Sequence, residues 1–342
     1  MNDFDTFRRE AVAAVRVALQ WFFLAVPMGL LCGFLGTLFH LAVEHATELR
    51  AAADADMVAE HRHPPWWIRR LKTQYPKDWR SILVAGNTHP PMALRINSLR
   101  SSRQEVLDSF AEADLPVRVL ANGALLLEKP VPVSRLPGFA EGCISVQDTG
   151  AQFAAQHLDV DDGQRVLDAC AAPGSKTCHI LELADVELTA LDTDASRTRR
   201  ISENLTRLGL AATVKAADCR NLDAWWDGRP FDRILADVPC SASGVVRRNP
   251  DIKWLRRGGD IARFASQQAE ILEALWRVLA PGGKMLYATC SVFAEENGEQ
   301  IAAFAARHPD CRRLPIGGQL DCQYLPCADH DGFFYALLEK AA

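Results

Sequence analysis

Residues 165–194, with the sequence RVLDACAAPGSKTCHILELADVELTALDTD, decide the fold. The apolar runs at 165–170 and 186–192 predict two β-strands, and the stretch between them, up to Ala184, predicts a helix. Parallel strands need a long crossover connection, which is usually a helix. The stretch therefore predicts a strand–helix–strand unit with two parallel strands.

The same alternation continues towards the C-terminus. Further strands are expected at 212–218, 231–238, 284–290 and 332–339, and further helices up to residue 208, at 266–279 and at 295–308. This pattern predicts an α/β domain at residues 147–342, with a parallel sheet and helices on both faces. In such a sheet, ligands bind at the carboxyl ends of the strands.

A smaller α+β subdomain is predicted at residues 64–146. Its expected helices lie at 66–75, 78–86 and 102–113, and its expected strands at 93–96, 117–120 and 124–128. Asn122-Gly123 between the last two strands is a strong hairpin signal. Six basic residues leave two interpretations open, a solvated face or a surface for RNA phosphates: Arg69, Arg70, Lys72, Arg95, Arg100 and Arg103.

Residues 1–63 predict an apolar helix followed by a linker or a solvated helix end. Residues 17–43 carry no formal charge, and as a helix they would be about 40 Å long, enough to cross a bilayer. We expect a membrane segment here, with a buried core helix as the alternative; a cleaved signal peptide fits less well. His61 and His63 are expected to be solvated rather than to form a metal pair.

Composition limits the remaining possibilities. The 342 residues carry a net charge of −5, so that any contact with nucleic acid must use a local basic patch. The ten cysteines include no CxxC motif, and Cys322, Cys327 and His330 lack a fourth ligand at zinc spacing. We expect no metal, reduced thiols and a cytoplasmic protein. Seven cysteines are expected to be small buried side chains: Cys32, Cys143, Cys178, Cys219, Cys311, Cys322 and Cys327.

Acidic residues stand at three successive strand ends. The first strand ends in the small-residue loop at 168–177, the second in Asp192 and the third in Asp218. A carboxylate after the second strand suits the hydroxyls of a ribose, and one after the third could meet an adenine amino group. The loop is neither a phosphate-binding GxxxxGK[ST] motif nor GxGxxG. The three strand ends together predict an adenosine site.

Two further strand ends bring cysteines to the same edge. The fourth strand ends in Asp237-Val-Pro-Cys240 and the fifth in Thr-Cys290-Ser. A thiolate that adds to carbon 6 of cytosine makes carbon 5 nucleophilic enough to accept a methyl group. An acid near ring nitrogen 3 stabilises such an adduct. The residues alone do not say which thiol attacks.

Four motifs resemble the Nop/Sun family of RNA cytosine-5 methyltransferases: DACAAPGSKT at 168–177, LDTD at 191–194, FDRILADVPCSASGVVRRNPDIKWLRR at 231–257 and YATCSVFAEEN at 287–297. The resemblance covers residues 64–339 and is strongest to the bacterial enzymes that act on small-subunit ribosomal RNA. It implies a Rossmann-like S-adenosylmethionine-dependent methyltransferase sheet and ribosomal RNA as the partner. The family's usual N-terminal helical domain, which is similar to NusB, is not recognisable in residues 1–63.

The resemblance also implies roles for residues. Cys290 would be the nucleophile, Cys240 would assist product release, and Lys176 would lie near Asp237 and the base. S-adenosylmethionine would contact Cys170, Ala171, Ala172, Pro173, Gly174, Ser175, Lys176, Asp192, Asp218 and Asp237.

Basic residues follow Cys240 closely, and we predict that they guide RNA phosphates at the mouth of the cleft: Arg247, Arg248, Lys253, Arg256 and Arg257. We expect a monomeric enzyme. Two alternatives stay open, a non-catalytic RNA-binding or ribosome-assembly factor with a methyltransferase shell, and a membrane protein with a soluble tail.

Overall fold

The structure is a computed structural model that describes residues 3–342, with side chains described for residues 12–49 and 56–342. The chain divides into two compact units, the first ending at Arg62 and the second beginning at His63.

The first unit is helical. Helix α1 (Asp3–Ala55) contains Pro27, and a short helix, α2 (Met57–His61), follows. A window of 18 residues within Val12–Leu49 has a mean hydropathy of 2.1, and none of it is buried, so α1 is long and apolar enough to cross a bilayer. The predicted solvation of His61 and His63 is wrong, because both side chains are buried.

The second unit begins with three helices and a small antiparallel sheet. Its four strands are β1 (Ala93–Ile96), β2 (Val117–Val119), β3 (Leu125–Leu127) and β4 (Ile144–Val146). Their order in the sheet is β2-β3-β1-β4, and the hairpin predicted at Asn122-Gly123 joins β2 to β3. Gly123 has a φ of +87°, which favours glycine. Strand β4 was not predicted. The helices are α3 (Pro65–Gln74), α4 (Trp79–Ala85) and α5 (Arg103–Glu112).

Helices α3 and α4 do not pack against the small sheet. Trp67 and Leu71 of α3 are fully buried in a cluster with Val292 and Phe293, which follow Cys290 in the chain. The Tyr75 hydroxyl also donates to the carbonyl of Val292 at 2.8 Å. The start of the second unit therefore supports the loop that carries Cys290.

The large sheet contains eight strands. The elements that build it are α6 (Thr149–His157), β5 (Arg165–Asp168), α7 (Ser175–Leu183), β6 (Glu187–Asp192), α8 (Ala195–Leu208), β7 (Thr213–Ala216), β8 (Phe231–Asp237), α9 (Ile252–Leu255), α10 (Asp260–Val278), β9 (Leu279–Thr289), α11 (Gly298–Arg307), β10 (Cys311–Leu314), β11 (Cys322–Tyr324) and β12 (Phe333–Lys340). The order of the strands in the sheet is β10-β12-β9-β8-β5-β6-β7, and β11 also pairs with β12.

Strands β5 to β9 are parallel, which confirms the predicted α/β architecture. Strand β12, predicted within the parallel sheet, is antiparallel to β9, and β10 and β11 are antiparallel to β12. The link from β11 to β12 is too short for a crossover, so these neighbours must be antiparallel. Strands β10 and β11 and helix α6 were not predicted.

Helices cover both faces of the large sheet. Helices α10 and α11 bury Leu272, Leu275 and Phe304 on one face. Helices α6, α7 and α8 bury side chains such as Ile180 and Ile201 on the other. The carboxyl ends of β5, β6, β8 and β9 consequently lie side by side at one uncovered edge of the sheet.

Candidate active site

A first cavity of about 240 Å³ lies at the carboxyl ends of the parallel strands. Small residues from the loop after β5 form one wall, and two carboxylates, Asp192 and Asp218, form another. The predicted site residues that line this cavity are Cys170, Ala172, Asp192, Asp218, Asp237, Cys240 and Cys290.

Asp192 is fixed at the floor of the first cavity. Its carboxylate accepts hydrogen bonds from the backbone N–H groups of Ala172 and Asp194, each at 3.2 Å, and lies 3.4 Å from Arg197. Its side chain is only 4% exposed. The carboxylate thus ties the loop after β5 to the end of β6, and a ligand in the cavity meets it in one orientation.

The loop after β5 depends on Gly174. This residue has a φ of +95°, and a Cβ there would lie 3.0 Å from the Cα of Ile201 in α8. Asp168 lies below the loop, fully buried, and accepts from the Thr177 hydroxyl at 2.6 Å. Burial raises the pKa of Asp168 to about 7. Only glycine at position 174 lets the loop lie close to α8 and leave the cavity open.

Asp218 is held by a neighbour that the sequence did not reveal. Arg220 donates to the Asp218 carboxylate through its backbone N–H at 2.9 Å and its guanidinium at 2.7 Å, and also pairs with Glu270. The hydrogen bond from the Arg220 side chain lowers the pKa of Asp218. Asp218 therefore reaches the cavity as a carboxylate whose orientation Arg220 sets.

A second cavity, of about 340 Å³, lies on the other side of the loop after β5. Only Ala172, Asp237 and Cys290 line both cavities. The other predicted residues that line the second cavity are Ala171, Pro173, Ser175, Lys176 and Arg248. The wall between the cavities thus contains one carboxylate and one thiol.

Lys176 and Asp237 form an ion pair beside this wall, with 2.5 Å between Nζ and Oδ2. Burial lowers the pKa of Lys176, but the charge and hydrogen bond of Asp237, together with Cys290 and Asp168, outweigh burial, and the pKa lies above its usual value. The ammonium group also lies 5.7 Å from the centre of the Phe333 ring, which lines the second cavity. The pair therefore presents both charges next to Cys290.

The two thiols predicted to act together are adjacent, with 3.4 Å between the Sγ atoms of Cys240 and Cys290. The hydrogen bond to Cys290, together with burial, raises the pKa of Cys240. Either sulfur can donate in this contact. Cys240 lines only the first cavity, whereas Cys290 faces both.

A buried carboxylate that sequence reasoning missed joins the two cysteine loops. Glu296 accepts from the backbone N–H of Ser241 at 2.7 Å and from the hydroxyls of Ser241 and Ser291 at 2.5 and 2.6 Å. Ser241 follows Cys240, and Ser291 follows Cys290. Burial raises the pKa of Glu296. The only sign of this hydrogen-bond network in the sequence is the serine that follows each cysteine.

The basic stretch after Cys240 is only partly exposed. Arg247, with a side chain 2% exposed, pairs with Asp331, and Lys253 is buried and donates to the Asn87 amide oxygen at 2.7 Å. Arg248 pairs with both Asp148 and Asp331. Direct RNA contact by Arg247 and Lys253 is thus not supported, because internal partners hold both cations away from solvent.

Arg256 and Arg257 lie at the end of the same stretch. The guanidinium of Arg256 donates to the carbonyl of Ser241 at 3.3 Å, and Arg257 is exposed. In the small subdomain, Arg95 is buried in an ion pair with Glu182 at 2.7 Å, which removes it from any surface for phosphates.

Of the seven cysteines predicted to be buried, only Cys178 and Cys219 are buried. Three are half-buried and two are exposed: Cys143, Cys311 and Cys322, and Cys32 and Cys327, respectively. Cys327 lies beside His330, and their hydrogen bond lowers the pKa of the Cys327 thiol. Among the side chains that the structure describes, no group of three His, Cys, Asp or Glu residues could hold a metal ion.

Two family sequence models match the chain. Residues 155–339 match the 16S rRNA methyltransferase RsmB/F family, and residues 63–134 match the ferredoxin-like domain of RsmF/B-like methyltransferases.

Individual relatives support the same family. The ribosomal RNA small subunit methyltransferase B of Pseudomonas putida is 45% identical over 324 residues, covering 91% of this chain and 74% of the relative. The protein of the same name from Serratia proteamaculans is 47% identical over 298 residues, covering 85% of this chain and 69% of the relative.

Solved structures share the fold. The crystal structure of PH0851 is 30% identical with a TM-score of 0.79, covering 83% of this chain and 68% of that one. A methyltransferase homologue from Pyrococcus horikoshii is 26% identical with a TM-score of 0.73, covering 83% and 97%. The large sheet is thus the Rossmann-like sheet of S-adenosylmethionine-dependent methyltransferases, and the chain belongs to the RsmB/F family of ribosomal RNA small subunit methyltransferases.

Proposed function

We propose that this protein transfers a methyl group from S-adenosylmethionine to carbon 5 of a cytosine in small-subunit ribosomal RNA, with Cys290 as the nucleophile. One observation carries the proposal: Asp237 and Cys290 line both cavities. A methyl donor in the first cavity and a base in the second would then meet at a thiol and a carboxylate.

The first cavity fits S-adenosylmethionine. Alanines and a cysteine after β5 leave room for a ligand, and Gly174 keeps the loop against α8. Asp192 would accept from the ribose hydroxyls, and Asp218 would accept from the adenine amino group beside Arg220. When bound there, S-adenosylmethionine supplies an electrophilic methyl group to the wall between the cavities.

The second cavity fits a cytosine that has left its stack, as chemistry on a base requires. Lys176 and Asp237 line it together with the Phe333 ring. The Asp237 carboxyl group would hydrogen-bond the ring near nitrogen 3, and the Lys176 ammonium group would hold Asp237 in place. The Phe333 ring offers an apolar surface to the base.

The chemistry then follows from the thiols. The Cys290 thiolate forms a bond from its sulfur to carbon 6, and the electron pair of the 5,6 double bond moves into the ring, where it makes carbon 5 nucleophilic. Carbon 5 would gain the methyl group as the bond from that methyl to the sulfonium sulfur breaks, with its electron pair going to the sulfur, which leaves as a neutral thioether. The proton that remains on carbon 5 then leaves to a base. The carbon–hydrogen electrons restore the double bond as the carbon–sulfur bond breaks. We assign assistance in this release to Cys240, 3.4 Å from Cys290.

The test is a methyl-transfer assay on unmethylated small-subunit ribosomal RNA transcribed in vitro, with isotope-labelled S-adenosylmethionine. Nucleosides from the digested RNA are then separated by mass spectrometry. The proposal expects label in 5-methylcytidine alone. Label on a ring nitrogen, on an exocyclic amine or on a ribose would contradict it, and RNA binding without any transfer would indicate a non-catalytic assembly factor.

A further inference from the structure

Two large apolar side chains are exposed in the basic stretch that follows Cys240. Trp254 is 58% exposed and Leu255 is 69% exposed, both in the short helix α9. Single exposed apolar residues are common on protein surfaces, so the surroundings of this pair decide whether it marks a contact with a partner. The residues on either side show what kind of partner fits.

The stretch around α9 is firmly anchored from below. Arg247 is buried against Asp331, and the ammonium group of Lys253 donates to Asn87. Ile252 packs against the apolar cluster that contains Phe293. These contacts hold α9 in one position, so Trp254 can present its ring to a partner with little loss of conformational entropy.

The anchored stretch lies beside the proposed reaction site. Arg256 donates to the carbonyl of Ser241, the residue after Cys240, at 3.3 Å. At the other end of the stretch, Arg248 lines the second cavity. In the sequence, Trp254 therefore lies between Arg248, which lines the cavity proposed to hold the target base, and Arg256, which contacts the loop of Cys240.

The charges beside the ring favour RNA as the occupant. Arg256 and Arg257 lie two and three residues after Trp254, and Arg257 is exposed. Base stacking on an exposed aromatic ring, next to cations that follow the phosphate backbone, is how proteins bind single-stranded nucleic acid. The exposed apolar patch on α9 consists of two adjacent side chains, so a protein partner would bury little apolar surface there.

We propose that Trp254 stacks on an unpaired nucleotide next to the target cytosine and so holds the RNA strand while the target base enters the second cavity. The inference rests on the proposed function, because it takes the second cavity as the base site. It assigns Trp254 to substrate binding.

The experiment compares Trp254→Ala with Trp254→Phe, which keeps a ring for stacking. Leu320→Ala serves as a control, since Leu320 is an exposed apolar residue (47%) in the β10–β11 connection. Binding of a short single-stranded cytidine-containing RNA is measured by titration, binding of S-adenosylmethionine by calorimetry, and folding by thermal unfolding.

We expect Trp254→Ala to bind the RNA about 5- to 100-fold more weakly, the scale of one lost base stack. Trp254→Phe should keep most of the affinity, Leu320→Ala all of it, and every variant should bind S-adenosylmethionine equally. Unchanged RNA affinity in Trp254→Ala would overturn the inference, as would a Phe variant as weak as the Ala variant.

The RNA titration does not depend on methyl transfer. If Trp254→Ala loses RNA affinity while the wild-type protein places no methyl group on carbon 5, the proposed chemistry fails and the stacking role stands. If the wild type makes 5-methylcytidine and Trp254→Ala binds RNA normally, only the stacking role fails.

Discussion

The two cavities share a wall but differ in the groups that they offer to a ligand. Asp192 and Asp218 line the first, which has no aromatic side chain in its lining, whereas Lys176 and the Phe333 ring line the second. Carboxylates suit the hydroxyls and amine of a nucleoside, while a ring beside a cation suits a base in an RNA strand. The comparison teaches that one sheet edge can offer two ligands different partners while both cavities face the same thiol.

The largest effect should come from the shared wall. Cys290→Ala removes the group that faces both cavities, and we expect methyl transfer to fall by about 10⁴-fold or more, the scale of a lost nucleophile. Binding of S-adenosylmethionine should be unchanged. A rate assay with labelled cofactor measures the loss; residual activity within tenfold of wild type would show that the shared wall is not the reaction site.

Glu296 tests whether the two cysteine loops must be held together. Glu296→Ala removes the acceptor for Ser241 and Ser291, and a displacement of about 1 Å at either thiol should lower kcat about 100-fold. Glu296→Gln should recover part of the rate, because the amide can still accept from one serine.

The matched control for this pair is Glu299→Ala, an exposed residue of α11. It should leave kcat and thermal unfolding unchanged. If Glu296→Ala lowers the melting temperature but leaves kcat intact in the folded protein, Glu296 supports the fold without positioning the thiols.

A substitution at Asp192 tests whether the first cavity binds the cofactor and not the RNA. Asp192→Ala should weaken S-adenosylmethionine by about 1–3 kcal/mol, the cost of leaving a buried hydrogen-bonding group unpaired. RNA affinity should stay at the wild-type value, since Asp192 lines only the first cavity. Calorimetry measures the affinity for the cofactor, and a separate titration measures the affinity for RNA. Unchanged cofactor affinity together with weaker RNA binding would contradict the prediction. Asp194→Ala, at the exposed cap of α8, is the control.

The smallest effect should come from the N-terminal helix. Neither cavity takes a lining residue from before Val146. A chain that begins near Glu60 should therefore fold, bind S-adenosylmethionine and transfer methyl groups to short RNA within about twofold of the full chain. Loss of folding in that shorter chain, followed by thermal unfolding and gel filtration, would show that the catalytic unit needs residues 1–59.

The fold was predictable where apolar strands alternate with amphipathic helices. Strands β5, β6, β8 and β9 were expected because each is buried on both faces and reads as a continuous apolar run. Strands β10 and β11 are only half-buried and contain polar residues, so they left no periodic signal. Helix α1 extends to Ala55, which agrees with the predicted helix end rather than with the linker that was its alternative.

The candidate site was predictable to the extent that strand ends determine it. Parallel strands place Asp192, Asp237, Cys240 and Cys290 at one edge of the sheet, independently of the loop conformations. The partners of loop side chains depend on tertiary contacts, which is why the Glu296 network was not expected. For the same reason Arg247 was assigned to RNA, although it is buried against Asp331.

The most direct test of the central claim traps the intermediate. Cys240→Ala is incubated with S-adenosylmethionine and unmethylated small-subunit ribosomal RNA, run on a denaturing gel, and the cross-linked peptide is sequenced by mass spectrometry. Because addition proceeds while release stalls, we predict a covalent RNA–protein complex whose RNA is attached to Cys290. No complex with Cys240→Ala, together with a complex at Cys240 in Cys290→Ala, would contradict the account and reverse the two roles.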